Sequence, residues 1–139
     1  MVTARSAAIF ASTLIAVALP LAVFASPGPE VKSQDSVSYL TGGVGSDERS
    51  AIKAKAKQFN LELAIATKKG HFLGDGSIDI ADAQGHTVLQ ATMDGPLFYV
   101  HLQPGLYTVK VNRDGTTKQE TVDVPSSGQR SVIFRWSGD

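Results

Sequence analysis

Residues 77–111 read SIDIADAQGHTVLQATMDGPLFYVHLQPGLYTVKV, and this stretch decides the fold. Ile78 and Ile80 alternate with Ser77, Asp79 and Ala81, the period of two expected of a strand with one buried face. Asp82-Ala83-Gln84-Gly85 has the composition of a turn, and His86 to Met93 reads as the returning strand of a hairpin. Asp94-Gly95-Pro96 interrupts the pattern before Phe98, Val100 and Leu102 resume it. Pro104-Gly105 then turns the chain into Tyr107, Val109 and Val111. Four strand patterns separated by short turns leave no room for a crossover helix, so the strands run antiparallel.

The same grammar continues on both sides. Downstream, Asp114-Gly115 turns the chain again, and Thr116 to Val124 is a threonine-rich strand of the kind found at a sheet edge. Pro125-Ser126-Ser127-Gly128 leads into a last strand with Val132, Phe134 and Trp136 on one face. Upstream, Leu61, Leu63 and Ile65 alternate with Glu62, Ala64 and Ala66. Before them the period changes. Ile52, Ala56 and Phe59 recur at spacings of four and three, Asp47 and Glu48 sit at the positive end of a helix dipole, and Lys53, Lys55 and Lys57 sit toward its negative end. Ser46 is the expected N-cap and Asn60 a suitable stop, so helix is expected over 47–59. The expected fold is mainly β: an antiparallel sandwich of about seven strands with one N-terminal helix packed on it.

Residues 6–25, SAAIFASTLIAVALPLAVFA, carry no charge, follow Arg5 and end in Val23-Phe24-Ala25. This is the pattern of a secretory signal peptide cut after Ala25, since a cut after Ser26 would leave Pro27 first. A run of about 20 apolar residues is also long enough to span a bilayer, but Pro20 and the cleavable end favour removal over a retained anchor. The expected organisation is a signal peptide at 1–25, a flexible Pro- and Gly-containing linker at 26–38, and a single sandwich domain at 39–139. The expected location is periplasmic or secreted, with no membrane attachment after cleavage. The chain has no cysteine, so a disulfide framework, a thiolate metal site and a lipid-modified cysteine are all excluded. Basic and acidic residues balance at 13 each, without a long block of either sign, and nucleic acid is not an expected partner. The lysines at 53, 55, 57, 68 and 69 read as a solvated helix face plus a turn.

From Ile78 the run IDIADAQGHTVL, then DGP at 94–96, then LQPGLYTVKV at 102–111 resembles the carboxypeptidase regulatory-like domains. These are relatives of the transthyretin-type (prealbumin-like) and collagen-adhesin B-type sandwiches. The segment YLTGGVGSDER at 39–49 together with the helix is similar to small exported bacterial proteins carrying such a domain. The resemblance covers 39–136 and implies a prealbumin-like sandwich in which Tyr107 puts its ring into the core. It implies no activity, because sandwiches of this kind serve unrelated roles.

The lysine to Asn or Asp crosslink of some collagen-adhesin domains needs an amide or acid on the last strand, and Ser131 to Trp136 has neither. The transthyretin-like hydrolases end in a YRGS-type tetrapeptide, whereas this chain ends Arg135-Trp136-Ser137-Gly138-Asp139, with an Arg and a later Gly in a different order. His71, His86 and His101 form no short local pair of the kind that makes a metal motif. No GxSxG elbow occurs. Asp79 and Asp82, three apart on a strand, point to opposite faces. The TGGVG run at 41–45 before a helix has the form of an anion cradle, but Asp47 and Glu48 already place negative charge there, which favours a structural turn.

The residues form no catalytic, cofactor-binding or metal-binding pattern and call for no cofactor. They point to a non-catalytic interaction or accessory module that binds an envelope protein or a glycan through loops or an edge strand. The alternatives are a transthyretin-like hydrolase and a structural brace of an envelope assembly, the latter by strand addition at Thr116 to Val124. Candidate contact residues are Tyr39, Asp47, Glu48 and Arg49 in the first segment, and His71 and Asp75 in the loop after the first long strand. The sequence leaves the partner and the oligomeric state open.

Overall fold

A computed structural model describes residues 29–137 and, in isolation, Ala16. The expected signal peptide lies outside the described residues apart from Ala16. Nine strands are described: β1 (Lys32–Gln34), β2 (Val37–Gly42), β3 (Leu61–Thr67), β4 (Gly76–Asp82), β5 (Thr87–Met93), β6 (Leu97–His101), β7 (Gly105–Arg113), β8 (Thr116–Val124) and β9 (Arg130–Trp136). The helix α1 (Ser46–Lys55) and a 3₁₀ turn, Ala56–Gln58, stand between β2 and β3.

The strands form a five-stranded sheet, β1-β2-β6-β3-β9, stacked on a four-stranded sheet, β5-β4-β7-β8. The alternation read from the sequence decides which side chains lie between them. Leu63, Ile65, Phe98 and Val100 from the first sheet meet Ile78, Ile80, Val109 and Val111 from the second, all buried. Phe134, Trp136 and Tyr107 join this core, as their positions in the period imply. A second, smaller core lies on the outer face of the five-stranded sheet, where Ile52 and Phe59 cover Leu40, Ala64, Leu97 and Tyr99. Because both faces of β3 and β6 are covered, their burial patterns are nearly continuous.

The structure departs from the sequence reading in four places. First, the expected linker at 26–38 is partly strand: β1 and β2 form a hairpin and β2 pairs with β6 from Ser38↔His101 to Gly42↔Leu97. The hairpin turns at Asp35 and Ser36, both left-handed (φ 47° and 68°), a conformation ordinarily signalled by Asn-Gly. Second, β9 runs parallel to β3, from Leu61↔Arg130 to Thr67↔Trp136. After β8 the chain leaves the four-stranded sheet and enters the adjoining edge of the other, β9 lying beside β8 with Trp136 under Lys118, so its direction follows from the crossing and not from a hairpin. Third, α1 ends at Lys55 and tightens into the 3₁₀ turn before Phe59. Fourth, Gly45 occupies the N-cap (φ 87°), and Ser46 is the first helical residue, its carbonyl accepting the Ser50 hydroxyl at 3.0 Å.

Asn60 does more than stop the helix. Its Nδ2 donates to the Leu102 carbonyl at 2.5 Å, its Oδ1 accepts the Leu102 N–H at 2.9 Å, and its own carbonyl accepts the Arg130 N–H at 3.0 Å. Side-chain and main-chain groups of one residue thus hold the β6–β7 connection and the entry to β9 together.

Candidate functional site: the loop end of the sandwich

β2, β3 and β5 finish at the end of the sandwich where β4 and β6 begin, a consequence of the antiparallel registers among them. The segments 43–45, 68–75 and 94–96 therefore gather at one end. The first is held by the helix that follows it. Glu48 Oε1 accepts the Gly43 N–H at 2.8 Å, and an Arg49 guanidinium nitrogen donates to the Gly43 carbonyl at 3.3 Å. The carboxylate of Glu48 fills the position an external anion would take, so TGGVG is a structural turn. Gly43 itself is left-handed (φ 100°), with Leu97 packed beneath it.

The second loop folds back on its own strand. The Thr67 N–H donates to the His71 carbonyl at 2.8 Å, the His71 N–H to Thr67 Oγ1 at 3.1 Å, and the Leu73 N–H to the Ile65 carbonyl at 3.0 Å. Gly70 supplies the left-handed residue (φ 90°) this tight return needs. Phe72 bridges to Ala66 and faces out, while Leu73 packs against the core. Arg113 Nε donates to the Gly74 carbonyl at 3.1 Å and holds the far side of the loop. The third segment is buttressed by buried Thr41, whose hydroxyl donates to the Leu97 carbonyl and accepts the Asp94 N–H, both at 3.0 Å.

The two candidate segments meet at one contact: the Arg49 guanidinium lies over the Phe72 ring, 5.9 Å from its centroid. Beside them Val44 is 65% exposed and Phe72 52% exposed. The end therefore presents two apolar side chains and a planar cation on loops held by hydrogen bonds, the composition of a recognition surface.

The six candidate residues divide. Arg49 belongs to the surface directly, and Asp47 and His71 lie exposed in its bordering segments. Glu48 is structural, spent on the Gly43 amide. Asp75 is exposed and left-handed (φ 58°), a backbone turn into β4. Tyr39 stands apart: it is half-buried on β2 and stacks on Phe98 at 5.4 Å with the rings 15° from parallel. Val44 and Phe72 fall within the two expected contact segments, 39–49 and 71–75, but the sequence singles out neither, because a lone apolar residue in a loop has no period to mark it. Their signal was their setting, a valine between glycines in GGVG and a phenylalanine between histidine and leucine in GHFLG.

The fold separates the remaining chemistry-bearing groups. His86 and His101 lie at the opposite end from His71, His86 in the β4–β5 turn with Nδ1 3.5 Å from Asp82 Oδ2. Asp82 Oδ1 accepts the N–H groups of Gln84 and His86, whereas Asp79 lies on the other face of β4 and bonds Gln90. Among the described residues no three His, Asp or Glu side chains gather as a metal-binding group. Arg135 donates to the Thr67 carbonyl at 3.3 Å, across the β3–β9 pair. Compared with known proteins, the chain matches no family model and no curated protein.

Proposed function

We propose that this protein is an exported, non-catalytic interaction module, periplasmic or secreted after a cut behind Ala25, that engages a partner protein through the loop end of a carboxypeptidase regulatory-like sandwich. The observation that carries the reading is the contact of Arg49 with Phe72 beside exposed Val44. Exposed apolar side chains flanking an arginine, fixed by backbone hydrogen bonds on both loops, lose little entropy on binding and can act as anchors. The experiment is crosslinking of the full chain in its native envelope, with mass spectrometry of its neighbours and of its N-terminal peptide. A reproducible neighbour lost on Phe72→Ala and Val44→Asp, together with an N-terminus at Ser26, is the expected result. Retention of every neighbour by both variants sinks the loop-end reading, and a peptide beginning before Ala25 sinks the cleavage.

A further inference from the structure

Strand β8 is an edge: among the described strands it pairs with β7 alone, in an unbroken register from Gly105↔Val124 to Arg113↔Thr116. The two-residue turn Asp114-Gly115, both left-handed (φ 50° and 76°), makes Arg113 and Thr116 the closing hydrogen-bonded pair. In an antiparallel strand the N–H and C=O of one residue point to the same side, alternately. Thr116, Lys118 and Glu120 therefore address β7, while Thr117, Gln119 and Thr121 direct their backbone groups to the open edge.

An added strand must match that phase, so its residues face β8 in registers two apart, and the side chains select among them. If the strand is a second β8, the register centred on Lys118 sets lysine against lysine, and the register centred on Glu120 sets glutamate against glutamate. The register centred on Gln119 sets Lys118 against Glu120 of the second copy, and Glu120 against its Lys118. Thr117 then faces Thr121 in both directions. Opposite charges and threonine pairs directly across an antiparallel ladder are favourable, and like charges are unfavourable. The charged pairs fall at the non-hydrogen-bonded positions, where side chains approach most closely. In the single chain these charges are unmatched: among the described residues Lys118 has only the Trp136 ring, 5.3 Å from its Nζ, and Glu120 has no partner.

We propose that β8 pairs antiparallel with β8 of a second copy of this chain about a two-fold axis at Gln119, joining the two four-stranded sheets into one continuous sheet. The join forms roughly six backbone hydrogen bonds, from the Gln119 pair and the two Thr117–Thr121 pairs. Lys118 and Glu120 act as a register key: a strand lacking the complementary pair meets an unmatched charge, which keeps the edge closed to other strands.

The test uses the exported protein produced from its full chain, with mass measured by light scattering across concentration. The native protein is expected to dimerise. Lys118→Glu and Glu120→Lys, each of which creates like-charge pairs, are expected to weaken the dimer by roughly tenfold or more. The double exchange K118E/E120K restores the pairing and returns dimerisation to within about threefold of native, which a merely misfolded variant does not do. In the cysteine-free chain, Gln119→Cys is expected to oxidise to a covalent dimer. Thr117→Cys does so only when mixed with Thr121→Cys. A monomer at every concentration, a dimer indifferent to the single exchanges, or a double exchange that stays monomeric overturns the proposal.

Discussion

At the scale of single residues, the fold depends on a few groups whose neighbours have no alternative partners. Asn60 satisfies both backbone groups of Leu102 with one amide. Truncation leaves these half-buried groups unpaired, so Asn60→Ala is expected to lower unfolding free energy by about 2 kcal/mol, read from urea midpoints at constant m. Gly95 is held by contact: a Cβ there collides with the Gly42 carbonyl and Cα. Gly95→Ala therefore forces β2 away from the 94–96 turn, at about 2 kcal/mol or more. If Gly95→Ala melts at the native temperature, the close approach of those two backbones is wrong. The sequence marked both positions, Asn60 as a helix stop and Gly95 as a turn residue, but not these partners. The groups the Asn60 side chain binds are 42 residues away in the chain, and nothing in local composition encodes such a distance.

At the scale of elements, the hairpin β1–β2 shows a local rule overridden by tertiary pairing. Asp35 and Ser36 adopt left-handed conformations at a cost of about 1 kcal/mol or more each, and the hairpin persists because β2 is zipped to β6. The double change Asp35→Asn and Ser36→Gly installs the preferred turn and is expected to stabilise the protein by about 1 kcal/mol, with thermal unfolding as the readout. A loss of stability would show that the side chains of Asp35 or Ser36 contribute more than the turn costs. The salt bridge from Lys32 to Asp94, 3.0 Å long and about half exposed on both sides, contributes little in comparison. Helix α1 was legible because its stripe of Ile52, Ala56 and Phe59 has a period, whereas β1 and β2 alternate too weakly to separate from a linker.

At the scale of the whole molecule, two buried phenols make the sandwich sensitive to alkali. Burial, and then the nearby Glu62 charge, pushes the Tyr99 hydroxyl up to about 12, and burial followed by Asp82 raises that of Tyr107. A folded-state pKa above the unfolded value of 10 favours the protonated form in the fold. This contribution is therefore complete below pH 10 and is lost as pH rises toward about 12. Urea midpoints are expected to fall across that window. Tyr99→Phe, which has no proton to lose, should flatten the fall, with the remaining slope coming from Tyr107. An unchanged slope in Tyr99→Phe would place the alkaline transition elsewhere.

The sequence alone determined that this is a mainly β protein with one early helix. It determined which side chains face inward on five of the strands, those carrying Leu63, Ile80, Val100, Val109 and Phe134, because alternation is a property of neighbouring residues and survives any arrangement of the sheets. It also marked Thr116 to Val124 as an edge. Only the tertiary structure decided that β9 runs parallel to β3, that residues 37–42 complete a sheet, and that Arg49 lies over Phe72. Each of these depends on where the chain goes after a strand ends, and strand pairing is set by contacts between distant segments, not by the pattern within either one.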